Sequence, residues 1–309
     1  TVTDSEGCSA SDNISSLTVN PVPAITIGYA YSKILSVDPA QVEGSQNLNG
    51  FPLLVRITDT DLRDHAENSN GYDIIFSDIN YNKLSHQLED YDPATGELTA
   101  WVWIPVLDYD DSTKIRMFYG NPQVSSDQST DEIWSGNYSG VWHLTDNLDA
   151  SGNGNNGISN GTVNIAGLIG NAESFDNQND YFQVGTNGLI ATSGSVEAWA
   201  NTNGVAAGSL DYIYGHTTQP AYQNRIQLYL DDAERLCLGL GNNHSLHTNI
   251  QTFTVGNWYH VVLNWDGTNY EVFVNGVSRA SGAYAGLSTI YTLADIGNLG
   301  NTVIRNEGW

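Results

Sequence analysis

Cations are scarce in this sequence. Ten Lys and Arg face 35 Asp and Glu across 309 residues, for a formal charge of −25. Binding to a phosphate backbone relies on basic side chains that release its counterions, so nucleic acid is excluded as a partner. Anionic lipid surfaces are disfavoured on the same ground. Hard cations with oxygen ligands, Ca²⁺ foremost, are attracted instead. An acidic surface also keeps a secreted protein soluble, with no ion involved. Long apolar runs are absent: nowhere do 18 apolar residues follow one another, so no membrane insertion is expected. Cysteine occurs twice, at Cys8 and Cys237. Cys237, in Leu236-Cys237-Leu238, reads as a small buried apolar residue, and Cys8 as one whose partner lies upstream; a bridge between the two is the alternative. Helical periodicity is almost missing. Thr1 and Trp309 both adjoin strand-like patterns, from which we expect a chain cut from a longer one.

What fills the sequence is alternation. Leu53-Leu54-Val55-Arg56-Ile57, Ala100-Trp101-Val102-Trp103-Ile104, Arg225-Ile226-Gln227-Leu228-Tyr229-Leu230 and Tyr270-Glu271-Val272-Phe273-Val274 are four of many runs of period two. Gly, Asn, Asp and Pro clusters separate them, which is the pattern of strands and turns. Asp266-Gly267 and Asn275-Gly276 signal tight hairpins, because both residue types tolerate positive φ. One short helix is expected around Asp59-Thr60-Asp61-Leu62-Arg63, behind an acidic cap. Tyr and Trp, 17 and 8, outnumber the 7 Phe, which favours half-buried sheet faces and sugar-stacking surfaces. The fold class is therefore all-β, built as tandem β-sandwiches. Composition divides the chain into a Ser/Thr/Asp-rich stretch over 1–23, a strand-rich block over 24–122, a polar linker over 123–137 and a Gly- and Asn-rich block over 138–309.

Three resemblances follow these divisions. Val2-Thr3-Asp4-Ser5-Glu6-Gly7-Cys8 with Leu17-Thr18-Val19 resembles the last strands of an Ig-like repeat. The second block, through Tyr29-Ala30-Tyr31-Ser32-Lys33-Ile34, Phe51-Pro52-Leu53-Leu54-Val55, Leu84-Ser85-His86-Gln87-Leu88-Glu89 and Phe118-Tyr119-Gly120-Asn121, resembles the bacterial domain of unknown function 2341. That family implies a β-sandwich in large secreted proteins and no established activity. The third block resembles the laminin-G type of concanavalin A-like jelly roll. It does so through Gly140-Val141-Trp142-His143-Leu144, Val196-Glu197-Ala198-Trp199, Gly256-Asn257-Trp258-Tyr259-His260-Val261 and Val272-Phe273-Val274-Asn275-Gly276. The family normally closes with a strand carrying Ile-Asp-Glu, which often supplies a calcium-binding aspartate; the chain ends before it.

Candidate chemistry concentrates in the third block. Residues 149–157 bring one carboxylate, three amides and several glycines into one loop, which suits Ca²⁺. Asp149, Asn153, Asn155 and the nearby Asp176 are the candidate ligands of a structural ion. An Asn/Gly-rich turn needing no metal has the same composition. Zinc is disfavoured: His244 and His247 lie three apart, on opposite faces of a strand, without Cys or acid at zinc spacing. Glycosidases need two carboxylates aimed across one cleft, and no strand here carries a Glu-x-Asp-x-x-Glu run, so no catalytic residue is assigned. A sugar site needs an aromatic platform with amides. Tyr212, Tyr214, His216, Tyr222, Arg225 and Asn243 are its candidates, against the plainer reading of ordinary sheet tyrosines. Trp101 and Trp103 are expected between the two sheets of their sandwich.

The function expected is that of an extracellular adhesion or carbohydrate-binding segment at a cell surface, non-catalytic, with structural calcium. Its partners would be a glycan or a surface protein of a host or neighbouring cell, and adjacent domains of the same chain. A stalk spacer without ligand, or an accessory module of a secreted polysaccharide-degrading enzyme, are the alternatives.

Overall fold

The computed structural model of the chain describes residues 23–42, 44–134, 136–176, 179–218 and 222–297, and the backbone of two short paired strands, β1 (Val2–Thr3) and β2 (Ser9–Ala10). The Ig-like resemblance, Cys8 and the chain end at which the Ile-Asp-Glu strand was expected fall almost wholly outside these residues.

The first block is a β-sandwich. One sheet is formed by β3 (Tyr31–Val37), β5 (Ile75–Asp78), β6 (Lys83–Leu84) and β9 (Thr113–Tyr119), in the order β3-β9-β5-β6. The other is formed by β4 (Leu48–Thr58), β7 (His86–Asp92) and β8 (Glu97–Leu107), in the order β4-β8-β7. Alternation aims Leu98, Ala100, Val102 and Ile104 of β8 at Phe76, Ile115 and Met117 of the facing sheet, and all are buried. The helix stands where its cap predicts. Helix α1 (Thr60–His65) starts at Asp59, whose carboxylate accepts hydrogen bonds from the N–H groups of Asp61 and Leu62.

The second block is a larger sandwich. Its front sheet has seven strands in the order β10-β13-β22-β15-β16-β17-β18. These are β10 (Ile158–Asn160), β13 (Tyr181–Gly185), β15 (Leu210–Thr218), β16 (Gln223–Asp231), β17 (Arg235–Gly241), β18 (Asn243–Thr252) and β22 (Leu293–Ile296). The back sheet runs β14-β19-β20-β21, with β14 (Gly194–Asn201), β19 (Trp258–Trp265), β20 (Asn269–Val274) and β21 (Val277–Ala283). A small hairpin, β11 (Val163–Ala166) with β12 (Asn171–Ser174), lies outside both. Both hairpin signals form turns. At Asn275-Gly276, φ is +51° and +76°, as a two-residue loop of this twist requires. The core runs between the sheets from Leu228, Leu238 and Leu240 to Val261, Leu263 and Val272.

The polar linker is not loose. Ile133 and Trp134 are buried, and the N–H of Thr130 donates to the His86 carbonyl of β7. Trp101 and Trp103 also depart from expectation. Ala100, Val102 and Ile104 take the core side of β8, so alternation turns both tryptophans outward. There Trp101 meets the next segment: its ring stands edge-on to Trp134, with centroids 5.3 Å apart. Two side chains of β7 complete the junction. Gln87 Oε1 accepts from Trp134 Nε1 at 2.6 Å and contacts His143 Nε2 at 3.0 Å. Glu89 is almost fully enclosed and lies 2.9 Å from His143 Nδ1, while Trp101 Nε1 donates to it at 3.2 Å. Indole N–H is donor only, so it fixes the Gln87 oxygen toward the junction, and His143 Nε2 must donate to that same oxygen. Arg56 adds a bond to the Leu168 carbonyl at 2.8 Å.

Removing one partner from an enclosed polar cluster strands the others. Glu89→Ala is therefore expected to cost about 3 kcal/mol, measured by urea unfolding; a change within about 0.5 kcal/mol would mark the junction as an ordinary surface contact.

Candidate ligand-binding groove

The loop expected to hold calcium is closed by its own hydrogen bonds. Asp149 Oδ1 accepts from the N–H groups of Val141 and Ser151, and Oδ2 from that of Asn155, all at 2.9 Å. Asn155 donates to the carbonyls of Ser139 and Asn187 and accepts from the Asn187 N–H. Asn153 donates to the Tyr138 carbonyl at 2.7 Å. Asp176 lies elsewhere. Asn155 rests against Gly185, at one end of β13, whereas the Asp176 N–H donates to Asp180 just before the other end. Five residues of strand, about 16 Å, separate those ends. The four residues are thus not brought together, and the donors around Asp149 are N–H groups, which a cation would repel. The set does not fit Ca²⁺, and among the described residues no group of three His, Cys, Asp or Glu converges to hold a metal. Burial pushes the Asp149 carboxyl up, but the hydrogen bonds from Val141, Ser151 and Asn155 outweigh it and hold it below its ordinary range.

The sugar-platform residues also divide. Simple alternation would set Tyr212, Tyr214 and His216 on one face. A bulge interrupts β15: Tyr212 pairs with Tyr229 but Tyr214 with Leu228. Tyr214 consequently joins the core and Tyr212 the opposite face. Both are buried, so neither is an open platform. His216 is a buried clip. Its Nδ1 donates to the Asn224 carbonyl at 2.9 Å, and its Nε2 accepts from the Tyr291 N–H at 2.8 Å. Burial lowers its pKa to about 4, so it is neutral in ordinary buffers. Tyr222 occupies the turn into β16, at φ +49°. Arg225 leaves the face of Tyr212 and donates to the Asn242 carbonyl at 3.0 Å.

That last bond leads to the site. Gly241 and Asn242 form the turn between β17 and β18, with Asn243 opening β18 opposite Leu240, and this turn presses against residues 283–286. The Asn242 N–H donates to the Ala285 carbonyl at 3.0 Å. Gly241, at φ +62°, permits the approach: a Cβ there would lie 1.9 Å from the Ala285 oxygen. Between the two segments lies a groove of about 420 Å³. Leu240, Leu246, Ala283 and Ala285 are its apolar lining, with the Tyr284 ring and the amides of Asn242 and Asn243 beside them. Behind the turn stands a polar cluster. Tyr212 Oη lies 2.9 Å from His244 Nε2, and Tyr229 stacks on the His244 ring at 5.1 Å. Burial, then the Arg225 charge, lowers the His244 pKa. Of the six predicted residues, Asn243 lines the groove and Arg225 braces it. Tyr284 and Leu246 were missed, since nothing in the sequence links residues 242 and 284.

One carboxylate pair invites a catalytic reading. Asp211 is buried, and burial pushes its carboxyl up to about 7, with Glu234 adding to the shift. Glu234 is already engaged, accepting from the Val205 N–H at 2.6 Å and from Thr202 Oγ1 at 3.0 Å.

Two stability effects follow. Asp149→Ala is expected to cost about 1–3 kcal/mol, the usual effect of orphaning buried N–H groups, to the same extent in Ca²⁺ or EGTA; a loss seen only with Ca²⁺ would reinstate a metal. For Asp211 the folded-state pKa is raised, so its stabilising proton is fully held below about pH 4 and lost as pH rises through about 7. Thermal midpoints from pH 4 to 8 are expected to fall in the wild type and to fall less in Asp211→Asn. An identical decline would place the titrating group elsewhere.

The likeness to known proteins is consistent with this architecture. Residues 70–150 match the model of a domain of unknown function (DUF2341), and residues 176–308 that of the concanavalin A-like lectin/glucanases superfamily. A search of curated proteins returns no match. Among solved structures, domain 4 of an extracellular GH43 arabinanase from Geobacillus stearothermophilus, in complex with arabinotriose, aligns at 17% identity and TM-score 0.40, over 53% of this chain and 82% of that one. A Trypanosoma rangeli sialidase mutant displaying trans-sialidase activity aligns at 14% identity and TM-score 0.41, over 52% of this chain and 26% of that one. The chain thus carries a DUF2341 segment followed by a domain of the concanavalin A-like lectin/glucanases superfamily.

Proposed function

We propose that the second domain is a carbohydrate-binding module that acts without catalysis, and that the groove between residues 240–246 and 283–285 seats the sugar. The observation that carries this reading is the lining itself: an apolar floor, one tyrosine ring and two amides within about 420 Å³. Pyranose and furanose rings offer apolar C–H faces for such a floor and hydroxyls for such amides. Burial of Asp211 and engagement of Glu234 favour a structural role for that pair, because a general acid must reach its substrate oxygen. A secreted location and a role in surface attachment fit a chain of charge −25. We read the loop over 149–157 as hydrogen-bonded in place of calcium-bound. The enclosed junction at Glu89 and Trp134 favours a second reading, a rigid spacer with no ligand.

Glycan-array and calorimetric titration distinguish the two. Wild type is expected to bind at least one oligosaccharide. Asn243→Ala and Tyr284→Ala are each expected to weaken it by roughly tenfold, about 1.4 kcal/mol. No glycan bound, with the fold intact, would leave the spacer. Binding unchanged in both variants would move the site elsewhere.

A further inference from the structure

Gln87 and Glu89 of β7 each present one oxygen to an indole on one side and to the His143 ring on the other. Gln87 Oε1 meets Trp134 Nε1 at 2.6 Å and His143 Nε2 at 3.0 Å. Glu89 Oε2 meets Trp101 Nε1 at 3.2 Å and His143 Nδ1 at 2.9 Å. An indole N–H only donates, so both oxygens are held as acceptors. Both imidazole nitrogens therefore face acceptors, and a neutral imidazole has one N–H to offer. With that hydrogen on Nε2, the lone pair of Nδ1 points at a carboxylate oxygen. The other tautomer only moves the same repulsion to Gln87. Side-chain exposure is 17% for His143 and 3% for Glu89, so little water is at hand to intervene. We infer that the junction binds one further proton, shared by His143 and Glu89, and that this proton latches the two sandwiches together.

The proton sits on the ring as an imidazolium, or on Glu89 Oε2 as an acid that donates to Nδ1. The count is the same in both forms, and the pair titrates as a unit. Thr145 Oγ1 completes the shell, donating to Glu89 Oε1 at 3.4 Å. Other titratable groups at the junction are engaged apart from the ring. Tyr138 stands edge-on to Trp134 at 5.2 Å. Glu132 accepts from Ser85 Oγ, and Arg56 is taken up by Glu97 and the Leu168 carbonyl. His86 packs edge-on to Phe76 in the core of the first sandwich. Among the described residues, Glu89 is the one carboxylate within ion-pair distance of His143. Separated in water, a carboxylate and an imidazole hold no such proton above about pH 6.5. Closing the junction then takes a proton up. The latch is at full strength below that pH and weakens as pH rises, by up to about tenfold in the closing equilibrium per pH unit. A sugar in the groove plays no part in it.

Hydrogen exchange at the Trp134 indole, in the full chain, tests this. The rate for free tryptophan divided by the rate at Trp134, at the same pH, gives the closing equilibrium without the intrinsic pH effect. The signal is assigned by its loss in Trp134→Phe. Protection is expected to fall from about pH 7 to 9, approaching tenfold per pH unit. In Glu89→Gln the carboxamide must turn its oxygen to Trp101 and offers the ring no charge. Protection in that variant is expected to be lower at pH 7 and level across the range, which separates this proton from that of Asp211. A level wild-type profile would overturn the inference, whether or not the variant folds. A wild-type fall that Glu89→Gln retains unchanged would place the proton elsewhere and overturn it too.

Discussion

Gln87 and Glu89, two alternate side chains on one strand, receive donors from both sides of the domain junction. An indole N–H has no acceptor role, so Trp134 fixes the Gln87 oxygen, and that oxygen in turn fixes which nitrogen of His143 must donate. Glu89 then takes Trp101 from its own sandwich and His143 from the next. The cluster is enclosed, so each member depends on the others for the bonds it gave up to water. Ile133 and Trp134 therefore lie buried between β7 and the segment that carries His143, and the chain enters the second sandwich from a fixed point.

Much of the fold was legible because strands announce themselves twice, by alternation and by the turn residues between them. Asn275-Gly276 named its hairpin, and Asp59 named the start of the helix. Alternation also says which residues share a face, and here it misled once. The bulge in β15 reverses parity between Tyr212 and Tyr214, and no local feature of Asp211-Tyr212-Ile213-Tyr214 declares it. The tryptophans of β8 failed for another reason. Periodicity separates two faces without saying which one is the core, and a face packed on a neighbouring domain carries the same aromatic residues as one packed on a facing sheet.

Of the candidate groove, one lining residue was legible in the sequence. Amides in a glycine-rich turn suggested oxygen ligands at 149–157 and a sugar contact at Asn243. The first set turned inward, because a carboxylate surrounded by its own loop's N–H groups is already satisfied. The second lines a groove only because Gly241 lets the turn meet Ala285 across the sandwich edge. Long-range contacts of this kind leave no trace in spacing.

Cys237 is a free thiol enclosed with Tyr212 and Tyr229, and burial raises its pKa. A thiol that is neither ionised nor reachable is slow toward alkylating reagents. It becomes reactive only when the sheet around it opens. The molecule therefore contains a built-in clock for its own breathing: the labelling rate at this one sulfur reports how often the middle of the front sheet separates from its cover.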